Sequence, residues 1–80
     1  MRIIVHVNGE DLDLPETATV RDLVADRLGR EVGDDGRALD GTPLGVAVAI
    51  EDALIPRSLW ARTPLANGIH CEFVTAVQGG

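Results

Sequence analysis

The residues best suited to chemistry in this sequence are its last two, Gly79 and Gly80. They follow a segment predicted to be a strand, 69–77, which would lead directly to a carboxylate without neighbouring side chains. Because glycine lacks a Cβ, such an end can enter a narrow channel and allow another backbone to approach closely. A carboxylate is a poor electrophile, so it would need activation, for instance as an acyl-adenylate made with ATP by another enzyme. The competing interpretation is an ordinary frayed terminus.

Composition excludes several classes of function. The 80 residues are 45% apolar, which predicts a single domain, 1–80, with one core. The net charge is −6, and all seven basic residues are Arg. This charge argues against nucleic acid and anionic membranes as partners. It favours a partner protein with a basic surface. The absence of Lys excludes a Schiff base and a Walker-type lysine, and the single Cys excludes an internal disulfide.

The N-terminal apolar run is too short for a signal peptide or a membrane span. We therefore expect a cytoplasmic protein that is monomeric when free.

The first half of the sequence predicts a hairpin followed by a helix. The elements are a strand, a tight Asn-Gly turn, a returning strand and a helix, at 2–7, 8–9, 10–14 and 19–28. Thr19 and Asp22 fit a capping box at the helix start. Gly29 stands where a left-handed residue commonly ends a helix.

The second half predicts three further strands, at 46–50, 53–55 and 69–77. A short helical turn at 57–61, with Ser58 as its cap, would separate the last two. If the main helix is a crossover, the first and last strands can lie parallel in the centre of the sheet. The fold class predicted is α+β, with a mixed sheet of four or five strands packed on one main helix.

The segment 29–45 contains five glycines and four acidic residues, and it exceeds the usual length of a connection. We predict a long, solvated and flexible loop. Its apolar residues Val32, Leu39 and Leu44 are the ones that could contact the core. The tail 77–80 is also predicted to be mobile, since delivery to two enzymes requires flexibility.

Strand alternation assigns the polar residues of the first and last strands to faces of the sheet. It places His6, His70 and Glu72 on the open face and Cys71 on the inner face. A metal site and a pair of solvated or Glu-paired histidines are the competing interpretations. We favour the second and predict no metal, because a full ligand set is not evident. Cys71 is expected to be a buried, inert thiol.

The same alternation places Ile4, Val74 and Leu54 on the open face, where we expect them to form an apolar patch for docking a partner. Trp60 is expected to have a structural role. Arg57 is expected to anchor the Trp60 turn or to contact a partner.

Six pieces of the sequence, in order, resemble the sulfur carrier proteins of thiamine biosynthesis. This ThiS-type family has the ubiquitin-like β-grasp fold. The pieces are V-N-G-E, T-V-x-x-L, A-V-A, P-R-S-x-W, N-G and G-G, at 7–10, 19–23, 47–49, 56–60, 67–68 and 79–80. P-R-S-x-W and the terminal A-V-x-G-G are the most specific, and only the loop 29–45 falls outside the resemblance.

The resemblance implies a protein co-substrate rather than an enzyme, with no catalytic residue and no bound cofactor. In this family a ThiF-type enzyme uses ATP to adenylate the terminal glycine, which is then converted to a thiocarboxylate. Thiazole synthase takes the sulfur to build the thiazole ring. Carried onto this chain, Gly80 bears the sulfur, while Gly79 and Gln78 thread the partner's channel.

Alternatives remain within and outside this class. The length of the chain and its loop favour the small subunit of molybdopterin synthase, which shares the fold and tail chemistry but has another acceptor. A sulfur carrier of cysteine biosynthesis is a further relative. A ubiquitin-like interaction domain with an accidental Gly-Gly end is the alternative from another class.

This chain also departs from the family pattern at two places. It has Glu51-Asp52 where many members carry Asn-Gly, and Ile69 where many carry an acidic residue.

Overall fold

The computed structural model describes residues 1–42 and 44–75. Its strands are β1 (Arg2–Val7), β2 (Glu10–Pro15), β3 (Val46–Ile50), β4 (Ala53–Ile55) and β5 (His70–Thr75), and its helices are α1 (Val20–Leu28) and a 3₁₀ helix (Arg57–Arg62). Within these residues, neither helix has the length and apolar character that crossing a bilayer requires.

The five strands form one mixed sheet in the order β2-β1-β5-β3-β4. The first and last strands are parallel neighbours, with His6 opposite His70 and Val7 opposite Cys71. All other neighbouring strands are antiparallel. The parallel pairing requires the chain to cross the sheet between β1 and β5, and α1 lies in that crossover. This is the β-grasp arrangement, and it confirms the predicted fold class.

Two tight turns place residues in the left-handed region of backbone space. Asn8 and Gly9, between β1 and β2, have φ values of 49° and 84°. Glu51 and Asp52, between β3 and β4, have φ values of 49° and 71°. The second turn therefore has the same handedness as an Asn-Gly turn. Asp52 is of a type that tolerates this conformation, whereas the side chain of Glu51 disfavours it.

Helix α1 begins and ends as its sequence predicts. The Thr19 side chain accepts a hydrogen bond from the backbone N–H of Asp22, and the Asp22 carboxylate accepts one from the backbone N–H of Thr19. Gly29 ends the helix with φ 65° and ψ 32°, and its N–H donates to the carbonyl of Ala25. The capping box and the glycine together satisfy backbone groups that a bare helix leaves unpaired.

The core lies between α1 and the inner face of the sheet. Its fully buried members come from β1, α1, β3 and the 3₁₀ helix: Val5, Val7, Val20, Leu23, Val24, Val48 and Trp60. The inward residues of β1 alternate with outward ones, as predicted. This alternation leaves the opposite face of the sheet free of any covering element among the described residues.

The segment 29–45 is more closely packed than a solvated loop. Val32 and Leu44 are buried with the core, whereas Leu39 is 67% exposed. Val32 also forms a β-bridge with Ala38. Two of the three predicted core contacts are therefore present. The predicted flexibility of this segment stays a prediction.

Candidate docking face and base of the terminal segment

The open face of the sheet carries two stacked histidines at its centre. The rings of His6 and His70 have centroids 4.7 Å apart and an interplanar angle of 25°. Nδ1 of His6 lies 2.5 Å from Oδ1 of Asp11, and the backbone N–H of His70 donates to Glu51 at 3.0 Å. The sequence placed both histidines on the open face, and the parallel register of β1 and β5 makes them neighbours.

A pocket of about 490 Å³ opens beside the stacked histidines. It is lined by these two rings, the two tight turns and several acidic side chains, among them Asp11, Asp52 and Glu72. Within residues 1–42 and 44–75, no three His, Cys, Asp or Glu side chains are arranged to bind a metal. Each imidazole is instead placed against another ring or an acid.

Cys71 lies on the inner face, as alternation predicts, and its residue is 2% exposed. Burial raises the pKa of the Cys71 thiol, and the nearby Glu51 carboxylate raises it further. Both effects disfavour the thiolate, which is the nucleophilic form. Cys71 therefore has the environment of a packing residue.

The three apolar residues predicted to form one patch do not lie together. Val74 pairs with Ala47 in β3, and Leu54 pairs with Ala49 in the same strand, so Leu54 and Val74 share one apolar area. They are 69% and 57% exposed. Ile4 lies on the same face but at the opposite end of β5, where its carbonyl accepts from Gly68 N–H.

The parallel register is the reason for this separation. His6 stands opposite His70, so Ile4 lies two residues before that point and Val74 four residues after it. Six residues of strand correspond to about 20 Å. The predicted single patch is therefore corrected to a patch of Ala47, Ala49, Leu54 and Val74, divided from Ile4 by the histidines.

Asn8 holds β5 close to its C-terminal end. Its side-chain Oδ1 accepts from the backbone N–H of Phe73 at 2.9 Å, and its Nδ2 donates to the Phe73 carbonyl at 3.2 Å. The amide thus continues the β1–β5 ladder beyond the turn, as another peptide group would. The sequence marked Asn8 only as a turn residue, because no local pattern reveals a partner 65 positions away.

The last described residue of β5 lies just beyond this clamp. Strand β5 ends at Thr75, opposite Val46 of β3. The residues predicted to thread a partner's channel and to bear the sulfur, Gln78, Gly79 and Gly80, lie outside the described residues.

The P-R-S-x-W piece forms the 3₁₀ helix and its anchor. Trp60 is 1% exposed, and its indole N–H donates to the carbonyl of Ile55 at 3.0 Å. The guanidinium of Arg57 lies 5.8 Å from the Trp60 ring centre, close enough for a cation–π contact. The structural role predicted for Trp60 is confirmed. The prediction that Ser58 caps this helix is wrong, because Pro56 occupies the cap position without a side-chain hydrogen bond.

Together, a mixed five-stranded sheet with a parallel central pair and one main helix across it define a ubiquitin-like β-grasp protein. The sequence model of the ThiS family matches residues 2–80, and this chain belongs to that family. Members of the family are small sulfur carrier proteins rather than catalysts. No curated protein matched the sequence in a wider comparison.

Proposed function

We propose that this chain carries sulfur as a thiocarboxylate on Gly80 and donates it for thiazole formation in thiamine biosynthesis. The observation that supports the proposal most strongly is the family match over 2–80, which includes both terminal glycines. In this proposal a ThiF-type enzyme uses ATP to form an acyl-adenylate on Gly80. A sulfur donor then displaces AMP, and thiazole synthase accepts the sulfur. Because the activation consumes ATP, we also assign the protein to the cytoplasm.

The fold supports delivery of the terminal group in two ways. The Asn8 clamp on Phe73 and the pairing of Thr75 with Val46 hold the end of β5 in the sheet. Five residues remain beyond Thr75, and they can span about 17 Å when extended. We propose that Gln78 and Gly79 pass through the enzyme's channel in this extended form, with Leu54 and Val74 in the docked surface.

The experiment that tests this function is intact-mass measurement of the protein after incubation with a ThiF-type enzyme, ATP and a sulfur donor. We expect a fraction whose mass corresponds to replacement of one oxygen by sulfur. A chain with an amidated Gly80 is the matched control, because only its terminal group differs. Equal sulfur incorporation into the amidated chain would contradict the proposal.

The small subunit of molybdopterin synthase is a second candidate, favoured by the long segment 29–45. The thiocarboxylate form should be incubated with thiazole synthase and, separately, with the large subunit of molybdopterin synthase. Formation of thiazole alone supports the thiamine pathway, and formation of molybdopterin alone assigns the chain to the second pathway.

Deletion of Gly79 and Gly80 separates both carriers from an interaction domain. A carrier loses all sulfur transfer while it stays folded, whereas an interaction domain keeps its partner.

A further inference from the structure

Most arginines of this acidic chain have an acidic partner within the protein. Among the described residues, the pairs are Arg2 with Asp13, Arg21 with Asp34, Arg27 with Glu10, and Arg30 with Asp40. Arg37, Arg57 and Arg62 make no ion pair with residues 1–42 and 44–75. Two of these three, Arg37 and Arg57, line the same pocket.

This pocket lies between the segment 29–45 and the 3₁₀ helix and has a volume of about 270 Å³. Besides the two arginines, it is lined by Gly41, Thr42 and Leu44. We call it the arginine pocket. Leu44 is only 8% exposed and supplies an apolar side next to the charges. An ion pair that forms next to an apolar surface is less screened by water and salt than one in open solvent.

Both arginines project from fixed backbone. The N–H of Arg37 donates to Asp35 at 3.0 Å, and its carbonyl accepts from Gly33 N–H at 2.8 Å. Arg57 begins the 3₁₀ helix, and its backbone packs directly against Gly36. The pocket is thus built by two segments that contact each other through Gly36.

The nearest acids are already engaged. Asp40 accepts hydrogen bonds from Thr42 and Arg30, and the backbone N–H of Thr42 is the largest cause of its lowered pKa. Asp35 accepts from the backbone of Arg37. Neither carboxylate makes an ion pair with Arg37 or Arg57. Arg57 contacts the face of the Trp60 ring, but among the described residues no acid competes for the N–H groups of either guanidinium.

The position of the arginine pocket relates it to the terminal segment. Leu44 lies two residues before Val46, which pairs with Thr75, the last residue of β5. Arg57 follows β4, whose Ile55 pairs with Val48. The pocket therefore lies at the end of the sheet from which residues 76–80 continue. An enzyme that takes up this segment must approach the same end.

We propose that Arg37 and Arg57 together bind a carboxylate side chain on the enzyme that activates Gly80. The inference rests on the proposed function. The planar guanidinium fork matches a carboxylate, and such charge-assisted hydrogen bonds are among the stronger polar contacts. On a chain of net charge −6, a local pair of positive charges orients a partner whose surface is otherwise basic.

The test measures the KM for this protein in ATP–pyrophosphate exchange catalysed by the ThiF-type enzyme. The variants are Arg37→Gln and Arg57→Gln. Arg62→Gln is the matched control, because Arg62 is also without an ion pair among the described residues but does not line the pocket. We expect each pocket variant to raise KM about fivefold at low salt, with the difference lost at high salt, and the control to leave KM unchanged.

A structural role for the arginines gives a different pattern. Arg57→Lys keeps the charge, so it should raise KM less than Arg57→Gln if binding is the role. A KM increase that is independent of salt, or one shared by Arg62→Gln, would overturn the inference. If Arg37→Glu raises KM and an Asp→Arg or Glu→Arg change on the enzyme restores the wild-type KM, the inference is supported directly.

Three further outcomes separate this inference from its alternatives. If the wild-type chain is activated and both Gln variants keep the wild-type KM, the inference about the arginine pocket is wrong while the proposed function stands. If inorganic phosphate then perturbs the Arg37 and Arg57 resonances, the pocket is a small-anion site. If the wild-type chain is not activated, both proposals fail together.

Discussion

Gly36 shows how a single residue joins two distant segments. It is buried, has a φ of 79°, and lies against Arg57. A Cβ built on Gly36 would lie 2.0 Å from Cγ and 2.4 Å from the carbonyl oxygen of Arg57. Neither distance is compatible with a side chain, and the carbonyl belongs to the backbone. The loop can pack on the 3₁₀ helix only because this position is glycine.

We therefore expect Gly36→Ala to destabilise the protein by about 2–4 kcal/mol, from left-handed strain and overpacking together. Gly41→Ala is the matched control, because Gly41 has a φ of 81° but no described atom within 4 Å of its built Cβ. The control should cost only the strain, about 1 kcal/mol. Urea unfolding measures both values. If the two variants lose the same free energy of unfolding, the contact between residue 36 and Arg57 relaxes without cost.

At the scale of elements, α1 depends on its capping box more than on its length. Nine residues are too few for a stable isolated helix, so the cap and tertiary packing must hold it. Burial opposes ionisation of Asp22, but hydrogen bonds from Thr19 and Arg21 outweigh this effect and lower the pKa of the carboxyl. The charged form of Asp22 is therefore more favoured in the folded state than in the unfolded state.

This lowered pKa predicts a pH dependence. A carboxyl with a lower pKa in the folded state adds stability above its ordinary pKa, about 4, and loses that stability as the pH falls through the folded value. Asp22→Asn should be about 1 kcal/mol less stable than wild type at pH 7, and the difference should shrink below pH 4. Asp26→Asn is the control, because Asp26 makes no hydrogen bond or ion pair with the described side chains.

Urea unfolding curves at several pH values between about 2 and 7 measure the Asp22 effect, because this range covers the titration of carboxyl groups. If the difference between Asp22→Asn and wild type is the same at every pH, the carboxylate is not held by the capping box.

At the scale of the whole molecule, the uncovered face of the sheet combines two kinds of surface. The histidine pair lies among acidic side chains, and the patch of Ala47, Ala49, Leu54 and Val74 lies toward the end from which the terminal segment continues. The arginine pocket lies at that same end. A partner that contacts all three surfaces would meet negative, apolar and positive areas in a fixed order, which permits only one orientation.

The apolar patch predicts an effect on binding without an effect on folding. Leu54→Asn should weaken binding to the activating enzyme about tenfold. A leucine side chain that becomes buried in the complex contributes about 1.5–3 kcal/mol to the free energy of binding. Leu39→Asn is the matched control, since Leu39 is 67% exposed and Leu54 69%. Calorimetric titration measures both affinities. Equal affinities for wild type and Leu54→Asn would exclude Leu54 from the interface.

The sequence by itself determined the elements and the family. The Asn8-Gly9 turn, the Thr19 cap and the Gly29 end depend on local backbone preferences that neighbouring residues reveal. Alternation in β1 identified which residues face the core, because the strand period is two. The match over 2–80 confirmed the family that the six sequence pieces had indicated.

Only the tertiary structure decided what depends on register and on contacts between distant segments. The position of Ile4 relative to Val74 follows from the parallel pairing of β1 with β5, which no local pattern specifies. The contacts of Asn8 with Phe73 and of Gly36 with Arg57 likewise join residues far apart in the chain. The physical reason is that preferences for turns and caps act over a few residues, whereas strand register is set by packing across the whole sheet.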